Sequence, residues 1–189
     1  MLEKYFKEIS EKIAKPFISI LSYFNIKPNT VSLVGLFIVI FGSLSFYYQN
    51  NNVGIILIFL GNAVDGLDGP YARKINLQSQ TGALLDSFID RISELFVWSV
   101  VAISYTKNEF ELFTILSVVV SSNLIPYLRS KSEFYKLINK KGITARPERI
   151  IFAVIFMYFN IHFIYMYIFA ILSWITVFQR FNYLYQHLN

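Results

Sequence analysis

The chain contains no cysteine, so disulfides, thiolate nucleophiles and thiolate metal sites are excluded. Histidine is almost absent. His162 and His187 stand far apart, suggest no zinc set, and are expected at an interface or surface. Charge is sparse too: 15% of the 189 residues are charged, against 55% hydrophobic and 18% aromatic. That balance excludes an ordinary soluble domain and points to a single membrane domain over residues 1–189. An apolar leader core is missing from the start, where Met1–Ile9 is charged and amphipathic, so no cleavable signal is expected.

The net charge of +5 raises nucleic acid or anionic lipid as partners, and its distribution decides between them. Five lysines lie in residues 1–30 and seven basic residues between Arg129 and Arg149, whereas the connections Gln49–Asn52 and Tyr158–His162 carry no Lys or Arg. This is the pattern of a multi-pass protein with its basic side in the cytoplasm. A nucleic-acid binder would instead gather basic and aromatic residues on a soluble face, so no nucleic-acid partner is expected.

Residues 2–23 have helical amphipathic spacing, with Leu2, Phe6, Ile9, Ile13, Phe17 and Ile20 set against Lys4, Lys7, Glu8 and Glu11. They read as a helix lying in the membrane interface, alone or packed on the bundle. Spanning helices are expected over about Thr30–Tyr48, with Asn29 as N-cap, and over Val53–Ile75, kinked at Pro70. Two more are expected over Thr81–Tyr105 and Glu109–Ile138, the latter kinked near Pro126, with a basic loop over Asn139–Thr144. Asn51, Asn52 and Gly54 read as the first outer turn, while Gly61, Gly66 and Gly69 permit close approach by a backbone or ligand. The apolar run Ile150–Phe178 would be about 43 Å long as one helix, against a hydrocarbon core of about 30 Å. It would also leave Arg149 and Arg180 on opposite sides. A turn near Asn160-Ile161-His162 brings both to the basic side. The expectation is therefore an all-α integral membrane protein: an amphipathic helix and linker over residues 1–27, then six transmembrane helices over 28–189, with both termini cytoplasmic.

Within this apolar frame lies an acidic cluster. Asp65 and Asp68 are three residues apart and Asp86 and Asp90 four apart, so each pair shares a helix face. The polar stretch Lys74–Thr81 between them suits a turn between antiparallel helices, which would point all four carboxylates at one spot. Acids at a membrane boundary are costly and mark function, and left bare they repel one another. Hard divalent cations with oxygen ligands relieve that repulsion. A divalent-cation transporter would also place acids in a membrane. However, these gather at one edge, no polar ladder crosses the outer half, and Arg73 beside them would repel cations.

The pattern Asp65-x-x-Asp68-Gly69-x-x-Ala72-Arg73, eight residues, then Gly82-x-x-x-Asp86-x-x-x-Asp90 resembles the full signature of the CDP-alcohol phosphatidyltransferases. All fixed positions match. The resemblance implies transfer of a phosphatidyl-type group from a CDP-lipid, CDP-diacylglycerol or CDP-archaeol, to an alcohol with release of CMP. It implies two Mg²⁺ ions, with Mn²⁺ as the alternative, and pairs of this kind sit about 3.5–4 Å apart. Carried over by position, Asp65, Asp68, Asp86 and Asp90 are metal ligands, and Asp90 is also the general base. The same resemblance assigns the CDP-lipid pocket to Asn29, Thr30, Val31, Ser32, Asp65, Asp68, Gly69, Ala72, Arg73 and Ser79, and implies a homodimer in the cell membrane with its active site facing the cytoplasm.

Two further stretches concern the acceptor. Pro126-Tyr127-Leu128-Arg129-Ser130-Lys131-Ser132-Glu133 resembles the Ser-Tyr-x-(Arg/Lys)-Ala-Arg-Ala-Glu stretch of the branch that makes phosphatidylinositol phosphate. Arg146-Pro147-Glu148-Arg149 resembles that branch's Arg-Pro-Glu-Arg, and Gln179-Arg180 also matches. Pro126, Ser130, Lys131 and Ser132 depart from the pattern. By this resemblance Arg129, Arg149 and Arg180 clasp the phosphate of an inositol phosphate, 1D-myo-inositol 3-phosphate (L-myo-inositol 1-phosphate). Three cations on three helices suit a dianionic acceptor and have little use for a neutral one. Glycerol 3-phosphate, the acceptor for phosphatidylglycerol-phosphate synthesis, is the nearest rival.

Overall fold

The computed structural model describes residues 15–139 and 141–188, and every regular element among them is helical. The described chain begins in a helix over residues 15–23 (α1). There follow α2 (Pro28–Tyr47), α3 (Asn51–Asp65), α4 (Asp68–Lys74), α5 (Gln80–Tyr105), α6 (Glu109–Phe134), α7 (Arg146–Phe159) and α8 (Ile164–Leu188). Four stretches are long and apolar enough to cross a membrane: α2, α3 and α4 as one 24-residue run, α6 and α8. α5 has the length but carries Asp86, Asp90, Arg91 and Glu94. α7 has 14 residues, about 21 Å of helix.

α2 and α3 form the most extensive helix pair, and small residues explain why. A Cβ on Gly61 would stand 2.7 Å from the Gly35 carbonyl oxygen, and one on Gly42 would stand 2.7 Å from the Ile58 amide nitrogen. The two backbones touch, as small-residue seams allow in lipid. Gly61 thus makes the close approach expected of it. Gly66 and Gly69 do not meet another backbone; the nearest foreign atom to a Cβ on Gly69 would be Arg73 Nη1, 3.5 Å away. α5 also packs against α2, and α6 pairs with α8. Trp98, Val101, Ile115, Phe156 and Met166 are fully buried where α5, α6, α7 and α8 meet. There Phe152 and Phe169 stack with ring centroids 3.9 Å apart.

α1 is docked on the bundle. Ile18 packs with Val31 and Tyr71, and the Tyr71 hydroxyl donates to the carbonyls of Ile26 (2.7 Å) and Leu21 (3.1 Å). Phe17, Ile20, Tyr23 and Phe24 remain exposed, which leaves an apolar face on this segment. The first part of the expected amphipathic helix, residues 2–14, lies outside the described residues.

The structure moves several expected boundaries. The N-cap of α2 is Lys27, with Pro28 in the first turn, so Asn29 sits inside the helix and its side chain is free for other work. The first turn is Tyr48–Asn50, where Gln49 has φ 67°; Asn51, Asn52 and Gly54 already belong to α3. The expected kink at Pro70 falls at Gly66–Leu67. Pro70 lies in the first turn of α4, where no amide donor is required, and the carbonyl it cannot reach is that of Gly66. α6 ends at Phe134, four residues early, because Lys136 takes up φ 58°. The turn that divides the last apolar run lies at Asn160, as the charges require, with Asn160 in the left-handed region at φ 47°. Both histidines are exposed.

Candidate functional site

Asp65 closes α3, Asp68 opens α4, and the two-residue break between them keeps both carboxylates on the side facing α5. Oxygens of Asp65, Asp68 and Asp86 lie within 4.8 Å of one another. Ser32 Oγ, one turn into α2, donates to Asp68 Oδ2 at 2.5 Å, and the Gly69 amide donates to Oδ1 of the same side chain. Asp90, one turn beyond Asp86 on α5, stands beside this trio and contacts Asp65. Its Oδ1 lies 2.5 Å from Arg146 Nη1.

Arg146 is the residue that sequence reading missed. From the first turn of α7 its guanidinium enters the acidic cluster. Nη2 donates to Asp65 Oδ2 (2.9 Å), Asn62 Oδ1 (3.2 Å) and Ser93 Oγ (3.0 Å). The signal was present, since Arg146 opens the Arg-Pro-Glu-Arg stretch, but only Arg149 was given a role. One cation does not satisfy the site. Asp65 is 2% exposed and its Oδ1 has no hydrogen-bond partner. A buried unpartnered carboxylate oxygen within an all-carboxylate donor set fits a hard divalent cation.

A cavity of about 340 Å³ opens beside the carboxylates, between the start of α2, α4 and the start of α5. Asn29, Asp68, Gly69, Ala72, Arg73 and Ser79 line it, with Asp86 at its floor. Gly69 gives it a wall without a side chain, and Arg73 stands exposed at its rim. Ser79 is the N-cap of α5: its hydroxyl accepts from the Gly82 amide at 3.0 Å. Of the other expected pocket residues, Thr30 is exposed and outside the lining, Val31 is buried against α1 and Tyr71, Ser32 holds Asp68, and Asp65 lies below the cavity.

The three acceptor arginines differ in how committed they are. Arg149 is 2% exposed and fully engaged. Nε and Nη2 donate to Glu94 at 2.5 and 2.7 Å, and Nη1 donates to the Thr144 carbonyl at 2.9 Å. Arg180, also buried, donates from Nε to the Lys141 carbonyl (2.8 Å) and from Nη1 to the Ile125 carbonyl (2.9 Å), and the charges of Arg129 and Arg149 act on it. Arg129 is exposed and, among the described residues, pairs with Glu133, one turn along α6, at 2.9 Å. Arg149 and Arg180 thus tie down the loop between α6 and α7. Asn139, bonded to the Arg180 carbonyl, and Thr144, bonded to Thr176, anchor it further.

Fold and site together define a multi-pass, all-helical membrane protein with a carboxylate centre beside a cavity at the end of its bundle. The sequence pattern describing CDP-alcohol phosphatidyltransferase matches residues 25–179. The chain belongs to that family, and it is a membrane phospholipid-synthesising transferase. It is 34% identical to an archaetidylinositol phosphate synthase of Pyrococcus horikoshii over 92% of this chain and 89% of that one. It is 29% identical to a phosphatidylinositol phosphate synthase of Streptomyces avermitilis over 82% of this chain and 66% of that one. The crystal structure of Mycobacterium tuberculosis phosphatidylinositol phosphate synthase with CDP-DAG bound superposes with a TM-score of 0.79 at 25% identity, covering 92% of this chain and 94% of that one.

Proposed function

We propose that this protein transfers a diacylglycerol- or archaeol-phosphate group from a CDP-lipid to 1D-myo-inositol 3-phosphate, releasing CMP and forming an inositol-phosphate phospholipid. The observation that carries the proposal is the convergence of Asp65, Asp68 and Asp86 beside a cavity of about 340 Å³ with Arg73 at its rim. The likeness to inositol-phosphate lipid synthases adds to it.

Asp65, Asp68, Asp86 and Asp90 would hold two Mg²⁺ ions, or Mn²⁺ in their place. Bound, such ions neutralise the diphosphate and stabilise the departing nucleotide phosphate. Arg73 receives the diphosphate through a guanidinium fork. Asn29 and Ser79 line the nucleotide's side of the cavity, and Gly69 leaves room for it. Asp90 accepts the proton of the acceptor hydroxyl as that oxygen attacks the phosphorus nearer the lipid. Arg129 and the Nη2 edge of Arg180 meet the acceptor phosphate, while Arg149, paired with Glu94, holds the surrounding loop in place.

In this reading residues 28–189 form one domain of six spanning helices, with α5 and α7 completing the four apolar spans. Both termini and the carboxylates face the cytoplasm, and the protein is a homodimer. The test offers purified protein, CDP-lipid and Mg²⁺ with inositol phosphate, glycerol 3-phosphate, free inositol or serine, and measures CMP release. Turnover with inositol phosphate alone is expected. Turnover with glycerol 3-phosphate and none with inositol phosphate would reassign the acceptor.

A further inference from the structure

The guanidinium of Arg146 touches acids on two different helices, α3 and α5, at once. It meets Asp65 and Asn62 at the end of α3 through Nη2, and Asp90 on α5 through Nη1, with Ser93 as a further acceptor. Its side chain is 23% exposed and its Nε is buried without a partner, so hydration does little to hold it there. Attraction to the carboxylates does. The backbone route from Asp65 to Asp90 passes through α4 and a turn; the two side chains meet each other, and Arg146 bridges them from a further element, α7.

We propose that Arg146 is a positioning residue that acts as a resident cation. It clamps Asp65 to Asp90 and keeps the acidic centre assembled when divalent ions are absent, and it weakens their binding when they arrive. The proposal rests on the reading of the aspartates as a divalent-cation site. Two fixed consequences follow from its charge and fork. Removing it releases the repulsion among the acids in the metal-free protein, and removing it also takes a positive charge away from beside the carboxylates that would hold the ions. Both act in the same direction on linkage: a ligand that binds only the folded state stabilises it in proportion to its affinity.

The test uses the full-length protein in nanodiscs, as wild type, Arg146→Gln, Arg146→Lys and Asp68→Asn. Thermal unfolding is followed in EDTA and in saturating Mg²⁺, and free Mn²⁺ is titrated by electron paramagnetic resonance. Arg146→Gln should unfold at a lower temperature in EDTA and recover most of that loss in Mg²⁺. Its metal-dependent rise in Tm should exceed that of wild type by about 3 °C, matching roughly tenfold tighter Mn²⁺ binding. Arg146→Lys should fall between, since it keeps the charge and loses the fork. If Arg146 only docks α7, the Tm loss in Arg146→Gln will be equal with and without metal and Mn²⁺ affinity will not rise, and the inference fails. If wild type itself shows no metal-dependent shift, or Asp68→Asn shows the same shift as wild type, the reading of the acids as a metal site fails instead.

Discussion

Asp90 is where the chemistry is most exposed to a single change. It lies beside the carboxylate trio, and replacing it with asparagine keeps its shape and removes its basicity. Asp90→Asn should lower turnover by at least about 100-fold while CDP-lipid binding is largely retained. Measuring CMP release beside donor binding checks this, and near-normal turnover would remove Asp90 from the role of base. Ser32 tests support from one position further out. Its hydrogen bond to Asp68 orients a carboxylate of the proposed metal site, and loss of such a partner costs about 10–100-fold in metal affinity. Ser32→Ala should therefore shift the Mg²⁺ dependence of activity upward by at least about tenfold, with little change at saturating Mg²⁺. At this scale the convergence of Asp65, Asp68 and Asp86 was legible from residue type and spacing, whereas Asn29, Gly69 and Arg73 on one cavity were reached through the family resemblance. Arg146 stands in the Arg-Pro-Glu-Arg stretch, but that its guanidinium meets Asp65, 81 positions away, was not legible there. The same is true of Glu94, whose partner is 55 positions distant.

Helix pairs carry the next level of constraint. The buried Glu94–Arg149 pair joins α5 to α7 with side chains 8% and 3% exposed. Removing one member of a buried pair leaves an uncompensated charge, at a cost of about 3–5 kcal/mol. Glu94→Gln should lower Tm by about 10 °C, with the aspartates untouched. A Tm within a degree or two of wild type would show that Arg149 finds solvent or another partner. Gly61 makes the matching test on the α2–α3 seam. Gly61→Ala forces a methyl group to 2.7 Å from the Gly35 oxygen, an overpacking worth about 1–3 kcal/mol, and should lower Tm by several degrees. Most spans and the Asn160 turn were readable from hydropathy and charge. The helix ends were not, because they depend on local backbone choices. Pro28 opens α2 two residues before the expected start, and Lys136 ends α6 early by entering a left-handed conformation that its residue type does not announce.

For the whole molecule, the lack of cysteine turns topology into a measurable quantity. With six spans and cytoplasmic termini, single cysteines at Asn51 and Asn160 face outward, and one at Gln78, beside the cavity, faces inward. In intact cells an impermeant maleimide should label Asn51→Cys and Asn160→Cys. Gln78→Cys should be labelled only after permeabilisation. Labelling of Asn160→Cys from the inside would overturn the outward placement of the α7–α8 turn. The membrane class and the family could be read from residues alone, since they are written in composition and in one long motif. How the loop between α6 and α7 is fastened could not, because it depends on buried bonds from Arg149 and Arg180 to backbone carbonyls.

The glycine seam between α2 and α3 also bears on traffic. Two backbones in van der Waals contact leave no slot for an acyl chain, so that side of the molecule is shut to lateral diffusion from the bilayer. For the CDP-lipid proposed above, that leaves entry along another flank, with the head turning toward the carboxylates from there.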